Sequence, residues 1–264
     1  MTPMDWTRTP DLLKGRIAIV TGAGGGIGRG LAEALALSGA HVVIAARRAA
    51  TGQETAALIH AAGGSALAVE TDVADPAAVQ QLVDATVGQF GGLDIVVHNA
   101  SSGLSGKAFK LAEIKAADYA EQAGVALGAA FLLARASFPH LKGTGRGRFI
   151  VLNSSQGLHG GAMNPVYTAT KSAQRGFVKA LAREWGPHDI VVNAVAPAAL
   201  TDAAKVYLES DPARSAAAMK SFPLGRMGDM RDDIGAAVVA LSSDYWRYVT
   251  GLTVPVDGGY YTAL

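Results

Sequence analysis

Five short β-branched runs recur along the chain: IAIVT at 17–21, HVVIAA at 41–46, LDIVVHNA at 93–100, RFIVLNSS at 148–155 and IVVNAVA at 190–196. Each is apolar at successive positions rather than at alternate ones, so each needs cover on both faces, the condition of a strand in a parallel sheet. The sequence supplies that cover. Ala/Leu-rich stretches with helical spacing begin near Ile27, Gly52, Pro76, Tyr119, Val166 and Asp232, between the apolar runs. Strand alternating with helix specifies an α/β chain with a doubly wound parallel sheet. Two weaker runs, SALAVE before Asp72 and LTVPV before Asp257, bring the count to about seven strands with right-handed crossovers.

No Pro/Ser-rich linker or shift in composition divides the 264 residues, of which 50% are hydrophobic and 17% charged, so a single domain over 1–264 is expected. Residues 1–14 read as a loose leader without the apolar centre of a secretory signal. Thr201 to Arg226 has helical composition but no strand of its own, and reads as an insertion that covers a site. The formal charge is +1 with scattered basic residues, which argues against a nucleic-acid partner. The absence of cysteine removes thiolate chemistry and cysteine-ligated metals, and fits a reducing cytoplasm. The longest apolar runs, such as Gly124 to Ala134, fall short of the roughly 20 residues that span a bilayer, so no membrane partner is expected. The six histidines show no metal-ligand spacing, and no metal site is expected.

Thr21-Gly-Ala-Gly-Gly-Gly-Ile-Gly28 follows the first strand and opens a helix. Glycines let the backbone approach a ligand closely, and the amides of a helix start can hold a pyrophosphate. The spacing is Gly22-x-x-x-Gly26-x-Gly28, because Ile27 stands where G-x-G-x-x-G would place its third glycine. Gly22, Gly25, Gly26, Ile27 and Gly28 are the candidate cradle. After the second strand, where a carboxylate would accept hydrogen bonds from an adenosine ribose, the chain has Ala46 followed by Arg47 and Arg48. A guanidinium pairs with a 2'-phosphate that a carboxylate would repel, so NADP(H) is expected in preference to NAD(H).

Tyr167-Thr-Ala-Thr-Lys171 lies at the start of a predicted helix, and a spacing of four stacks phenol and ammonium on one face. A fixed positive charge favours phenolate, so Lys171 is expected to lower the pKa of Tyr167. Ser154 closes the run RFIVLNSS near the carboxyl end of its strand, where open α/β sheets place their ligands. Its hydroxyl can hold a carbonyl oxygen.

With these motifs the chain resembles the short-chain dehydrogenase/reductase family from about Gly15 to Gly259. The resemblance rests on the Thr21 to Gly28 turn, Asp72-Val73, Asn99-Ala100, Ser154, Tyr167 and Lys171. Asn193 with Pro197, Thr250-Gly251 and Val256-Asp257-Gly258-Gly259 complete it. It implies a seven-stranded Rossmann-like sheet, a nicotinamide cofactor, and reversible hydride transfer to or from a small-molecule ketone or secondary alcohol. It further implies that Ser154 bonds the substrate oxygen, Tyr167 exchanges the proton, and Lys171 binds the nicotinamide ribose. By the same resemblance Asp72 and Val73 meet the adenine, Asn99 and Ala100 back the cofactor, Pro197 sits beside the nicotinamide, and Leu200 contacts the carboxamide. Leu158, His159 and Met163 lie in the stretch bordering the substrate, with Val206, Tyr207, Met219 and Phe222 as further apolar candidates. Relatives associate through helices corresponding to 119–141 and 166–186, which here carry Phe131, Leu132, Phe177 and Leu181, so a homotetramer or homodimer is expected.

Four positions depart from the family pattern. Ala126 stands where the family has an asparagine whose side chain helps order a water between the lysine and solvent. His98-Asn99-Ala100-Ser101 replaces Asn-Asn-Ala-Gly, and Pro197-Ala198 replaces proline-glycine, which requires a backbone conformation open to alanine. Asp202 takes the usual threonine position, with Thr201 beside it. Water or His159 is expected to supply the proton route that Ala126 lacks. Two other functions stay open, reduction of a conjugated C=C bond by an enoyl or dienoyl reductase, and a non-catalytic NADP(H)-binding sensor on the same fold.

Overall fold

The apolar runs all become strands: β1 Ile17–Thr21, β2 His41–Ala46, β3 Ser65–Glu70, β4 Ile95–His98, β5 Arg148–Leu152, β6 Val191–Pro197 and β7 Thr253–Val256. Neighbours pair in parallel throughout, in the order β3-β2-β1-β4-β5-β6-β7. The helices are α1 (Gly26–Leu37), α2 (Ala49–Ala61), α3 (Pro76–Phe90), α4 (Ala116–Ala123), α5 (Ala129–Leu141), α6 (Gln156–His159), α7 (Pro165–Trp185), α8 (Asp202–Glu209), α9 (Pro212–Lys220) and α10 (Ala236–Ser242). This computed structural model describes residues 11–105 and 107–262, without the side chains of residues 202, 203, 207, 212–214 and 217.

Strands β1 to β6 each feed two cores, and β7 feeds one. Ala18 and Val20 of β1, Ile95 and Val97 of β4, and Ile150 and Leu152 of β5 pack under α1, α2 and α10. Their neighbours Ile19, Val96, Phe149 and Val151 pack under α3, α5 and α7. The unbroken apolar runs therefore follow from burial on both faces of a three-layer domain. Helix ends explain local order. Asp75 caps α3 by accepting from the Ala77 amide at 2.9 Å, Pro76 opens the helix, and Gly91 ends it with φ +82°.

Three expectations change. Residues 1–10 of the leader lie outside the described residues, but Leu13 is fully buried and Leu12 packs against the same core, so the leader's described end belongs to the fold. Helical structure runs from Ala116 to Leu141 and is long and apolar enough to cross a membrane by length and composition, which the shorter apolar runs did not reveal. Its residues Ala129, Ala130, Leu133, Ala134 and Leu141 are buried, with Leu133, Ala134 and Leu141 in the core under the sheet. Leu181, expected at a subunit interface, is also in that core, whereas Phe131 is half exposed.

The segment between Thr201 and Arg226 forms α8 and α9. Its base is closed where Leu200 N donates to the Gly228 carbonyl at 2.8 Å and Gly228 N donates to that of Ala198 at 2.9 Å. Ahead of α10 the chain makes a π-helical turn, Met230–Gly235, that packs on α1. A Cβ on Gly30 would stand 2.6 to 2.8 Å from the backbone of Met230 and Arg231, so only glycine permits that approach. Gly30→Ala is expected to lower stability by about 1–3 kcal/mol in urea denaturation, and an unchanged midpoint would contradict this packing.

Candidate active site

The winding reverses between the paired strands β1 and β4, and the chain leaving their carboxyl ends runs to opposite faces of the sheet, which leaves a crevice. A cleft of about 500 Å³ fills it. Gly22, Gly25, Gly26, Ile27, Gly28, Arg47, Arg48, Asp72, Val73, Asn99 and Ala100 all line this cleft, so the predicted residues of the glycine turn and of the ends of β2, β3 and β4 converge. Gly24, Thr51, Thr71, Ser101, Ser102, Val125 and Thr201 also line it and were not singled out as cofactor residues from the sequence.

The turn is held by hydrogen bonds and by close approach. Thr21 Oγ1 accepts the amides of Asn99 and Ala100, each at 3.1 Å, and Asn99 Nδ2 donates to the Thr21 carbonyl at 3.0 Å. Gly22 has φ +68°, and a Cβ there would lie 2.9 Å from Ala100 Cα. Gly25 and Gly26 differ, because a Cβ on either would meet only open space. Gly25 caps α1 without a side-chain acceptor, which leaves the amides of the first turn for an anion in the cleft. The donor set and the glycine cradle fit the pyrophosphate of a dinucleotide. At the far end Arg47 and Arg48 are exposed, and Thr51 Oγ1 donates to the Arg48 carbonyl at 2.9 Å.

Ser154, Tyr167 and Lys171 meet at the carboxyl end of β5. The Ser154 hydroxyl acts on the phenol of Tyr167, and Lys171 Nζ lies 5.7 Å from the centre of the Tyr167 ring. Lys171 is 4% exposed and donates to the Leu152 carbonyl at 2.6 Å. Burial brings its pKa down to about 8. The pKa of the Tyr167 phenol is raised, chiefly by burial, with the neighbouring Ser154 hydroxyl pulling the other way. This corrects the expectation that Lys171 lowers it, because desolvation outweighs a charge across the ring face.

Pro197 ends β6, and Leu200, 40% exposed, follows it; these two, like Ser154, Tyr167 and Lys171, are not among the residues lining the cleft. Thr201 does line it, and its Oγ1 caps α8 by accepting from the Ala204 amide at 3.2 Å. Ala198 has an ordinary negative φ, so the missing family glycine leaves no strain.

Ahead of α7, Leu158 and His159 lie in α6, and Met163 takes φ +62° while its carbonyl accepts the Phe109 amide at 2.7 Å. The His159 ring is exposed and stacks on Tyr261 at 5.9 Å, and Tyr260 joins it to Phe222. The C-terminal tyrosines thereby reach α6, a contact without any sequence signal. Val206 is exposed, Phe222 is buried, and the side chain of Tyr207 lies outside the described residues.

Ala126 falls in a second π-helical turn, Gly124–Gly128, joining α4 to α5. Its carbonyl accepts His98 Nε2 at 2.9 Å and Gln174 Nε2 at 3.0 Å. His98 is 1% exposed, and its pKa falls from 6.5 to about 4, mainly through burial, with its bond to Ala126 opposing and the Lys171 charge adding. The unfolded chain therefore takes up this proton first as pH falls, and stability contributed by neutral His98 is lost between pH 6.5 and about 4. The loss should approach about 3 kcal/mol, and denaturation at pH 7, 5 and 4 should show it reduced in His98→Gln. Parallel pH profiles for the two proteins would contradict the buried neutral ring.

Residues 22–261 match the family model described as Enoyl-(Acyl carrier protein) reductase. Among curated proteins, L-rhamnose 1-dehydrogenase (NAD(P)(+)) of Azotobacter vinelandii is 38% identical over 259 residues, covering 96% of this chain and 99% of that protein. A solved structure from Sinorhizobium meliloti 1021, assigned as a short-chain alcohol dehydrogenase, aligns with TM-score 0.88 at 35% identity over 95% of this chain and 98% of the other. A Beutenbergia cavernae protein, assigned as an NAD(P)-dependent gluconate 5-dehydrogenase with NADP bound at low occupancy, aligns with TM-score 0.85 at 35% identity over 95% and 98% of the two chains.

Proposed function

The chain belongs to the short-chain dehydrogenase/reductase family and is an oxidoreductase, and from that premise we propose NADP(H)-dependent, reversible hydride transfer between the nicotinamide and a ketone or secondary alcohol, with Tyr167 as acid and base. The observation that carries the reading is the meeting of Ser154, Tyr167 and Lys171 at the sheet edge that also bears the glycine-lined cleft. A bound nicotinamide supplies or accepts the hydride, and the protein supplies orientation and the proton.

In the reductive direction the Ser154 hydroxyl holds the carbonyl oxygen beside the phenol, and Tyr167 gives that oxygen its proton. A phenol raised by burial is protonated at neutral pH, the form this step needs. Lys171, with a pKa of about 8, is charged in roughly nine molecules of ten at pH 7 and stabilises the phenolate left behind. Reduction should therefore weaken above pH 8 as the ammonium is lost. Alcohol oxidation needs the phenolate first and should strengthen with rising pH until the same limit.

Arg47 and Arg48 at the edge of the cleft support a 2'-phosphate, and the NADP held by the Beutenbergia relative agrees with that choice. Exposed Tyr119 and Phe131 on α4 and α5 support a homotetramer or homodimer, and the absence of cysteine is compatible with the cytoplasm. A second reading, reduction of a conjugated C=C bond, is favoured by Ala126 in place of the family asparagine and by the description of the matching family model. The dehydrogenase relatives argue against the sensor reading.

Tyr167→Phe should lose about 10² to 10⁴ in kcat for carbonyl reduction while binding NADPH as before. Full turnover in that variant refutes the assignment. Arg47→Ala should weaken NADPH about tenfold and leave NADH unchanged, and equal loss for both would remove the NADP(H) preference.

A further inference from the structure

The carbonyl of Ala126 is a junction of three distant segments. His98 at the end of β4 and Gln174 on α7 both donate to it, at 2.9 and 3.0 Å, and their exposures are 1% and 0%. Neither donor lines the cleft, yet each adjoins groups of the proposed site. His98 precedes Asn99 and Ala100, and Val125 adjoins Ala126; all three of these neighbours line the cleft. Gln174 lies one turn beyond Lys171 on the same helix. Asn153 ties the two, donating to the Lys171 carbonyl at 2.7 Å and facing Gln174 Oε1 at 3.5 Å.

The hydrogens of the junction follow by elimination. Thr21 Oγ1 accepts two amides, so its own proton goes to His98 Nδ1, 3.2 Å away. Nδ1 is then an acceptor and Nε2 carries the hydrogen donated to Ala126. Turning the ring would orphan buried partners on both sides. The junction also sits at a π turn, a local departure from helical geometry that something must hold in place.

We infer that His98 is a positioning residue for the proposed reaction: through the Ala126 carbonyl and Gln174 it fixes the spacing between the cleft wall at Asn99 and the helix that carries Tyr167 and Lys171. Ala126 takes part through its backbone alone, so the absence of a polar side chain there does not disconnect the two halves of the site. The inference rests on the hydride-transfer reading for its effect on turnover, but not for its effect on local order.

The test compares the full-length protein with His98→Gln, which keeps an N–H donor near the Nε2 position, and His98→Leu, which keeps only bulk. Three quantities are read on each: hydrogen exchange of residues 120–130, the Kd for NADPH by fluorescence titration, and kcat for carbonyl reduction. His98→Leu should lose protection in that segment and about tenfold or more in kcat, with Kd changed less than about threefold because Thr21 still holds the Asn99 and Ala100 amides. His98→Gln should recover both protection and most of kcat. Equal exchange and equal kcat in the two variants overturn the inference, since His98 would then only fill space. If His98→Leu does not fold, Gln174→Leu removes the other donor and should show the same two losses; wild-type values for both overturn the inference. A wild-type protein that binds no NADPH would refute the proposed function, while the exchange comparison would still decide the junction.

Discussion

A parallel sheet delivers all its strand ends to one edge, and the rest of this molecule depends on that constraint. Seven strands with covered faces leave the carboxyl edge as the place where loops can gather, and the reversal between β1 and β4 opens a crevice in it. The glycine turn, the arginines after β2, the Asn99 wall and Ser154 with its tyrosine and lysine all emerge along that edge. No single segment builds the site. The two packed cores hold the strands in register, and the register sets which residues face each other across the crevice.

Burial then determines the chemistry. Taking an ammonium, a phenol and an imidazole out of water moves each toward its neutral form: Lys171 to about 8, Tyr167 upward, His98 to about 4. In the proposed reaction the protonated phenol donates beside the serine hydroxyl, and a lysine near its titration point stabilises the phenolate at neutral pH. The low dielectric that costs these groups solvation would also strengthen their action on the oxyanion of the proposed reaction.

Much of this was legible in the sequence. β1 and β2 fall on the predicted residues because β-branched runs bounded by turns leave little choice of register, and the weaker run SALAVE becomes β3 by pairing with β2. The glycine turn and the residues after β2, β3 and β4 line one cleft because a strand end in such a sheet has only one edge to reach. What stayed hidden depends on three-dimensional neighbours. The direction of the Tyr167 shift comes from desolvation, which a spacing of four does not reveal. The Ala126 junction joins residues 28 and 48 positions apart, and two π turns have no local signature. Leu181 follows the same apolar pattern as an interface residue and lies in the core. Thr201 lines the cleft because the Ala199–Gly228 bridge fixes the base of the loop, a pairing between residues distant in sequence.

The central claim is that these side chains serve a hydride transfer. It is tested most directly by supplying NADPH deuterated at the transferable C4 position with a panel of ketones, diketones, steroids and enones, and locating the label by mass spectrometry. The account predicts deuterium on the former carbonyl carbon of the alcohol product; label on a former alkene carbon would select the C=C reading instead. Bound NADPH with no label transferred to any product would contradict the account.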